Sequence, residues 1–176
     1  MFEKERIREA ERNVKSYLED NLLWKYSEFR TEILETYLRN YQESLNVAQK
    51  LFAQNWSSLW AVVISYYSMY YIANAVLYKF GYKVGSKISH KITSDALIIF
   101  VRNKLKESLL KDFEEAKEEA LEIVGRKADE VLLNYERELE KRSSFQYQST
   151  EEIKRNKAET SLERAKTFIF EMKKLL

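Results

Sequence analysis

The chain has 176 residues, no cysteine, no proline, one histidine and three glycines, with 33% charged residues and a formal net charge of +2. That length supports one domain with a sizeable core, and the missing cysteines exclude a disulfide framework, a thiol nucleophile and zinc-finger spacing. A single imidazole builds no multi-histidine metal site, no phosphate-cradling glycine loop is present, and the near-neutral charge leaves room only for a local basic patch.

Scarce breakers predict long helices. The opening stretch, Met1 to Glu11, is charged and lacks the apolar segment of a signal peptide. A first helix is predicted over Glu3 to Leu18, with Ile7, Ala10, Val14 and Leu18 on one face. Asn21 to Tyr26 reads as a break. A second helix follows over Ser27 to Phe52, with Ser27 as N-cap and a stripe through Phe29, Ile33, Tyr37, Tyr41, Leu45, Ala48 and Phe52.

The third helix, Ser57 to Phe80, is apolar on every side, as a helix at the centre of a domain or shared with a partner subunit must be. It overlaps the uncharged run Leu51 to Tyr78, long enough for a membrane span. The run also carries Gln54, Asn55, Ser57, Ser58, Ser65, Ser68 and Asn74, and its tyrosines lie in the middle, not in belts at the ends. Both facts argue for a buried helix against a span. Gly81 supplies a C-terminal cap.

Tyr82 to Lys91 reads as a loop carrying Gly85, Ser86, Lys87, Ser89 and His90. A fourth helix is predicted from Thr93 or Ser94 to Val124, with Leu97, Phe100, Val101, Leu105, Leu109 and Phe113 inward and an acidic run at Glu114 to Glu122. Gly125 is expected to end or kink it, before a fifth helix over Lys127 to Lys141. Arg142 to Ser149 breaks the pattern. The last helix starts near Thr150, capped by Ser149 or Thr150, with Ile153, Ala158, Leu162, Ala165, Phe168, Ile169 and Met172 on its inner face. No strand pattern, internal repeat or linker emerges. The expectation is all-α: an up-and-down bundle of four to six helices in one domain spanning 1–176, cytoplasmic, with no membrane and no cofactor.

Residues Ser65-Tyr66-Tyr67-Ser68-Met69-Tyr70-Tyr71, with Ala73, Ala75, Val76 and Leu77 behind them, resemble the central helix of HEPN-domain proteins. The stretch from Gly81 through Ser86-Lys87 to His90 is similar to that family's glycine-to-histidine turn. Arg142 to Tyr147, Thr150 to Ile153, and Ala165 to Ile169 resemble its ending. The resemblance covers about residues 55–176, and helices within 1–54 would complete the bundle. It implies a four- or five-helix bundle, commonly a two-fold homodimer. Many such proteins are metal-independent ribonucleases, often toxins paired with a minimal nucleotidyltransferase antitoxin. Their signature is an arginine, then four to six residues, then a histidine. Here the arginine position falls on Arg142, Ser143 follows it, and Tyr147 stands where the histidine would be.

RNA cleavage needs a proton removed from the 2′-hydroxyl, a proton given to the leaving oxygen, and charge neutralised on the phosphate. Arg142 suits the last role through a bidentate clamp. Tyr147, a phenol with an ordinary pKa near ~10, suits hydrogen bonding to phosphate or stacking on a base more than proton transfer. Ser143, Ser144, His90 and Tyr67 are the remaining candidates for contact with RNA. Each has a plainer reading. Arg142 caps helix carbonyls, Tyr147 packs, His90 is a hydrogen-bonded structural histidine, and the tyrosines of the third helix are core or dimer contacts. A non-catalytic homodimer that docks a protein, or a nucleotide-binding module, is the competing function.

Overall fold

The structure, a computed structural model, describes residues 4–140 and 155–176, the stretch 126–140 as backbone alone. In chain order the elements are α1 (Lys4–Glu19), β1 (Leu23–Lys25), α2 (Thr31–Ala53), α3 (Ser58–Lys79), β2 (Tyr82–Val84), α4 (Ser89–Phe100), a single 3₁₀ turn (Arg102–Lys104), α5 (Glu107–Glu140) and α6 (Arg155–Lys173). This is an all-α helical bundle with one two-stranded ribbon.

α3 is the axis of the bundle. With apolar residues on every face it packs against α2, α4, α5 and α6, burying Ala61, Val62, Tyr66, Met69, Ile72 and Leu77 among others. One continuous core joins Tyr66, Met69, Ile72 and Leu77 to Leu97 and Ile98 of α4, Phe113 of α5 and Phe168 and Met172 of α6, while Ala61 and Val62 pack in a smaller cluster with Ile123 and Ala158. Phe113 and Phe168 stack with centroids 5.3 Å apart, each fully inside, and burying a ring of that size contributes about 2–3 kcal/mol. α1 lies on α4 through its buried face of Ala10, Val14 and Tyr17. Among the described residues no helix is long and apolar enough to cross a membrane.

Ser57 caps α3, its hydroxyl accepting the Trp60 N–H at 3.2 Å. The start of α2 differs from expectation. It begins at Thr31 with Arg30 in the N-cap position and no side-chain cap of its own. The reason is a long-range substitute: the Arg30 N–H donates to the Tyr78 hydroxyl at 2.9 Å, so α3 satisfies a donor that Ser27 was expected to serve locally.

The segments read as a break and a loop pair as antiparallel strands, with Leu23 opposite Val84, Trp24 opposite Lys83, and Lys25 opposite Tyr82. Two glycines make this possible. Gly81, with φ +96, turns the chain out of α3 in a conformation that L side chains rarely adopt. Gly85 approaches β1 so closely that an added Cβ would meet the Leu22 carbonyl oxygen at 2.9 Å. The Gly85 N–H donates to that same oxygen at 2.8 Å.

The predicted fourth and fifth helices divide elsewhere. The chain breaks at Val101–Lys106, where the 3₁₀ turn reorients it, and then runs unbroken through Gly125 to Glu140. Gly125 has open space around it, so it costs α5 about 1 kcal/mol of propensity without ending it. α4 starts at Ser89, which places His90 on a helix and not in a loop. The proposed caps of the last helix, Ser149 and Thr150, lie outside the described residues.

Candidate functional site

His90 sits in the first turn of α4, immediately after Ile88, which occupies the left-handed region at φ 44. A β-branched side chain is strained there, and the backbone holds it by accepting the Lys91 and Ile92 N–H groups on the Ile88 carbonyl at 3.0 and 3.2 Å. The turn drives the half-buried imidazole against α3. Its Nδ1 lies 2.7 Å from the Tyr66 hydroxyl, and the rings of Tyr66, Tyr67 and Tyr70 stand 5.5, 5.6 and 4.6 Å from it. One helical turn further, Asn74 donates to the Thr93 hydroxyl at 3.2 Å and keeps α3 and α4 in register.

The electrostatics of this cluster follow from burial. Tyr66 is 1% exposed, and burial pushes its phenol far above the ordinary value, with Tyr70 and Tyr67 adding to the effect. Burial also raises Tyr70. The imidazole moves the other way: burial lowers its pKa, and the Lys117 ammonium on α5 lowers it further. The two effects leave a neutral imidazole beside a protonated phenol near pH 7. The phenol and Nδ1 share one hydrogen bond, whose direction follows the tautomer of the imidazole.

Of the residues singled out in the sequence, His90 and Tyr67 come together, ring edge to ring face at 83°. Arg142, Ser143, Ser144 and Tyr147 lie outside the described residues. Among the described residues no three or more His, Asp or Glu side chains converge to hold a metal ion.

A second polar cluster was not foreseen. Asp95, fully buried on α4, accepts from the Tyr17 hydroxyl and the Asn13 amide, each at 3.0 Å. Arg6 of α1 reaches Asp95 at 2.7 Å and Glu114 of α5 at 2.6 Å, while Ser94 also donates to Glu114 at 3.1 Å. Burial opposes the Arg6 charge, but the two carboxylates outweigh it and hold the guanidinium above its ordinary value. Burial and then the Asp95 charge push the Tyr17 phenol up. One signal was available in sequence: Asp95 is the lone charge between Lys91 and Arg102. An acid in so apolar a run needs a buried partner.

At the ribbon end of α3, cations lie over rings. Lys83 sits above Trp24 at 5.6 Å, Lys25 above Tyr82 at 5.6 Å, Lys79 above Phe29 at 5.8 Å and Lys104 above Phe80 at 5.5 Å. Beside them, a shallow groove of about 280 Å³ is lined by Trp24, Lys25, Tyr26, Glu28, Arg30, Tyr78 and Lys83 among others.

No family model and no curated protein matches the chain.

Proposed function

We propose that this chain is a HEPN-like helical module that binds RNA as a homodimer, with Arg142 gripping a phosphate and Tyr147 contacting the same strand. The observation that carries the reading is a meeting in space. Two separate stretches that resemble the family, Ser65 to Leu77 and Ser86 to His90, are joined by the Tyr66–His90 hydrogen bond of 2.7 Å. A hydrogen bond between the two stretches is what a shared motif would need. The neutral His90 in its tyrosine cage suits hydrogen bonding to a polar ligand more than ion pairing.

Tyr147 in the position of the family's histidine favours binding over cutting, because a phenol transfers protons poorly near neutral pH. The same substitution favours a second reading, in which the homodimer has no chemistry and docks a protein such as a minimal nucleotidyltransferase. A gel assay on single-stranded RNA in EDTA separates the two. Under the first reading the wild type binds RNA in a salt-sensitive way, and Arg142→Ala weakens binding at least about tenfold, the loss of one charge-assisted phosphate contact. RNA left intact and unbound by wild type and variant alike overturns it.

A further inference from the structure

The ribbon end of the bundle carries a charge distribution that neither the fold nor the His90 cluster explains. Segments 21–31, 78–84 and 100–105 hold six cations, Lys25, Arg30, Lys79, Lys83, Arg102 and Lys104, against one acid, Glu28. The contacts of the fold bring these three segments to one place. β1 pairs with β2, Tyr82 stacks on Phe100 at 3.9 Å, and Lys104 lies over Phe80. The net charge of the whole chain is only +2, so everything outside these segments is net acidic. Like charges brought together repel, and the fold gains nothing from assembling them.

Elsewhere on the surface some cations are neutralised by neighbours, Lys111 by Glu107, Lys166 by Glu163, Lys174 by Glu171 and Arg164 by Glu115, while others, such as Arg39 and Lys50, stand without an ion pair among the described residues. At the ribbon end, none of Lys25, Arg30, Lys79, Lys83 and Lys104 forms an ion pair with a carboxylate among the described residues. The carboxylates that flank the first segment along the chain are Asp20, which accepts from the Ser16 hydroxyl at 3.0 Å, and Glu32, in the first turn of α2. Lys25, Lys79, Lys83 and Lys104 rest on aromatic faces, which leaves their hydrogen-bonding capacity open to an incoming anion.

The rings form a platform of their own. Tyr26 stacks on Tyr78 at 4.5 Å, and Phe29 leans on both, 6.1 Å from Tyr26 and 5.4 Å from Tyr78. Phe29 is 44% exposed, an unusual position for a ring already tied into an aromatic cluster. The shallow groove beside the ribbon is lined by Lys25, Arg30, Lys83 and Tyr26 together with one acid, Glu28, and Phe29 stands next to it between Glu28 and Arg30 in the chain. It offers three cations to a phosphate and the Tyr26 and Phe29 rings to a planar base. An acidic membrane asks for protruding apolar side chains, and an acidic peptide makes no use of ring faces. The pairing of cations with an exposed ring platform is the arrangement that nucleotide chemistry uses.

We infer that the ribbon groove is a nucleotide-binding site, in which Lys25, Arg30 and Lys83 hold the phosphate and the Tyr26 and Phe29 rings, backed by the buried Tyr78, receive the base. The site is distinct from the one proposed around His90 and Arg142 and does not rest on it. Its ligand is a free mononucleotide or one nucleotide unit of a single strand.

The test titrates the full-length chain with AMP by calorimetry and with a fluorescein-labelled single-stranded RNA decamer by anisotropy across a salt series. Wild type is expected to bind at least one of the two probes. Lys25→Ala/Lys83→Ala weakens that binding at least tenfold, and for the decamer flattens the dependence of log K on log salt by about 0.7, the release expected from one phosphate contact on a single strand. Phe29→Ala costs about fivefold or more and leaves the salt slope unchanged. Loss seen with AMP assigns a mononucleotide site; loss seen only with the decamer assigns a strand site. Arg30→Ala, exposed and outside the ribbon ladder, repeats the measurement in a variant with no strand residue changed, and an unaltered far-UV spectrum certifies the fold of each.

No binding of either probe by wild type overturns the inference, as does wild-type affinity in all three variants. Competition by heparin with no response to Phe29→Ala also overturns it, by reducing the groove to a plain basic surface. Loss of decamer binding in Arg142→Ala with none in the ribbon variants sinks this site and spares the reading above. The reverse pattern, with RNA left uncut, does the opposite.

Discussion

The ribbon end and the α1–α4–α5 junction are both rich in charge, and they differ in what the charges meet. At the junction, Arg6 is enclosed by Asp95 and Glu114, and Asp95 in turn takes hydrogen bonds from Tyr17 and Asn13. Every charge there is answered from within the chain, and three helices are fastened by it. At the ribbon end, Lys25, Lys79, Lys83 and Lys104 face rings and solvent. The lesson is that a count of charges says little about partners, whereas their pairing says much: paired ions report on the fold and unpaired ones on what the surface is for.

Removing Asp95 should break the junction hardest. Asp95→Ala leaves the Tyr17 hydroxyl and the Asn13 amide unsatisfied and Arg6 with half its compensation, and is expected to cost about 3 kcal/mol in urea unfolding. A cost below about 1 kcal/mol would show that the junction is no more invested in the fold than the ribbon. A smaller effect is expected at His90, through pH. Its folded-state pKa lies below the ordinary 6.5 because burial and Lys117 disfavour the charge. The unfolded chain therefore binds the proton first as pH falls. The stability that His90 contributes is complete above 6.5 and drains away as pH falls through the folded value. Between pH 7.5 and 5.5 the thermal midpoint of wild type should drop further than that of His90→Asn, and equal drops would count against a buried neutral imidazole.

The α5–α6 seam lies between the two extremes. Arg164 there spans Glu115 at 2.8 Å and Asp112 and Glu119 at 3.8 Å, partly in solvent. Arg164→Ala is expected to cost no more than about 1 kcal/mol, and raising salt should shrink that cost. Least of all, Lys25→Ala/Lys83→Ala should leave the unfolding midpoint unchanged while it weakens nucleotide binding. A clear fall in stability would place these lysines with the junction.

The all-round apolar surface of α3 announced a central helix in the sequence, and most of the inward stripes of α1, α4 and α6 were legible from periodicity; on α1 the expected Leu18 is exposed and Tyr17 is buried in its place. The breaks were harder. Leu97, Val101, Leu105, Leu109 and Phe113 stay in helical phase across the 3₁₀ turn, with no glycine or proline to mark where the chain bends. The ribbon escaped notice because three residues per strand are too few to show alternation, and because its register depends on Gly85 meeting a carbonyl from a distant segment. For the same reason the Tyr78 cap on α2 could not be read locally. At the candidate site, the sequence offered His90 and Tyr67 as separate residues. Tyr66, the one that touches His90, looked like core, and it is core as well. The lone Asp95 was visible, but its hydrogen-bond partners Tyr17 and Asn13 lie 78 and 82 residues away on α1.

The Tyr66–His90 bond has a consequence for whatever arrives at the imidazole. A neutral ring has one hydrogen for two nitrogens, so the direction of the bond at Nδ1 decides what Nε2 can do. With the phenol donating, Nε2 carries the hydrogen and gives a bond to an oxyanion or a carbonyl. With Nδ1 donating, Nε2 keeps a lone pair and takes a bond from a hydroxyl. A tyrosine held in the core thus couples the behaviour of the second nitrogen to its own hydrogen.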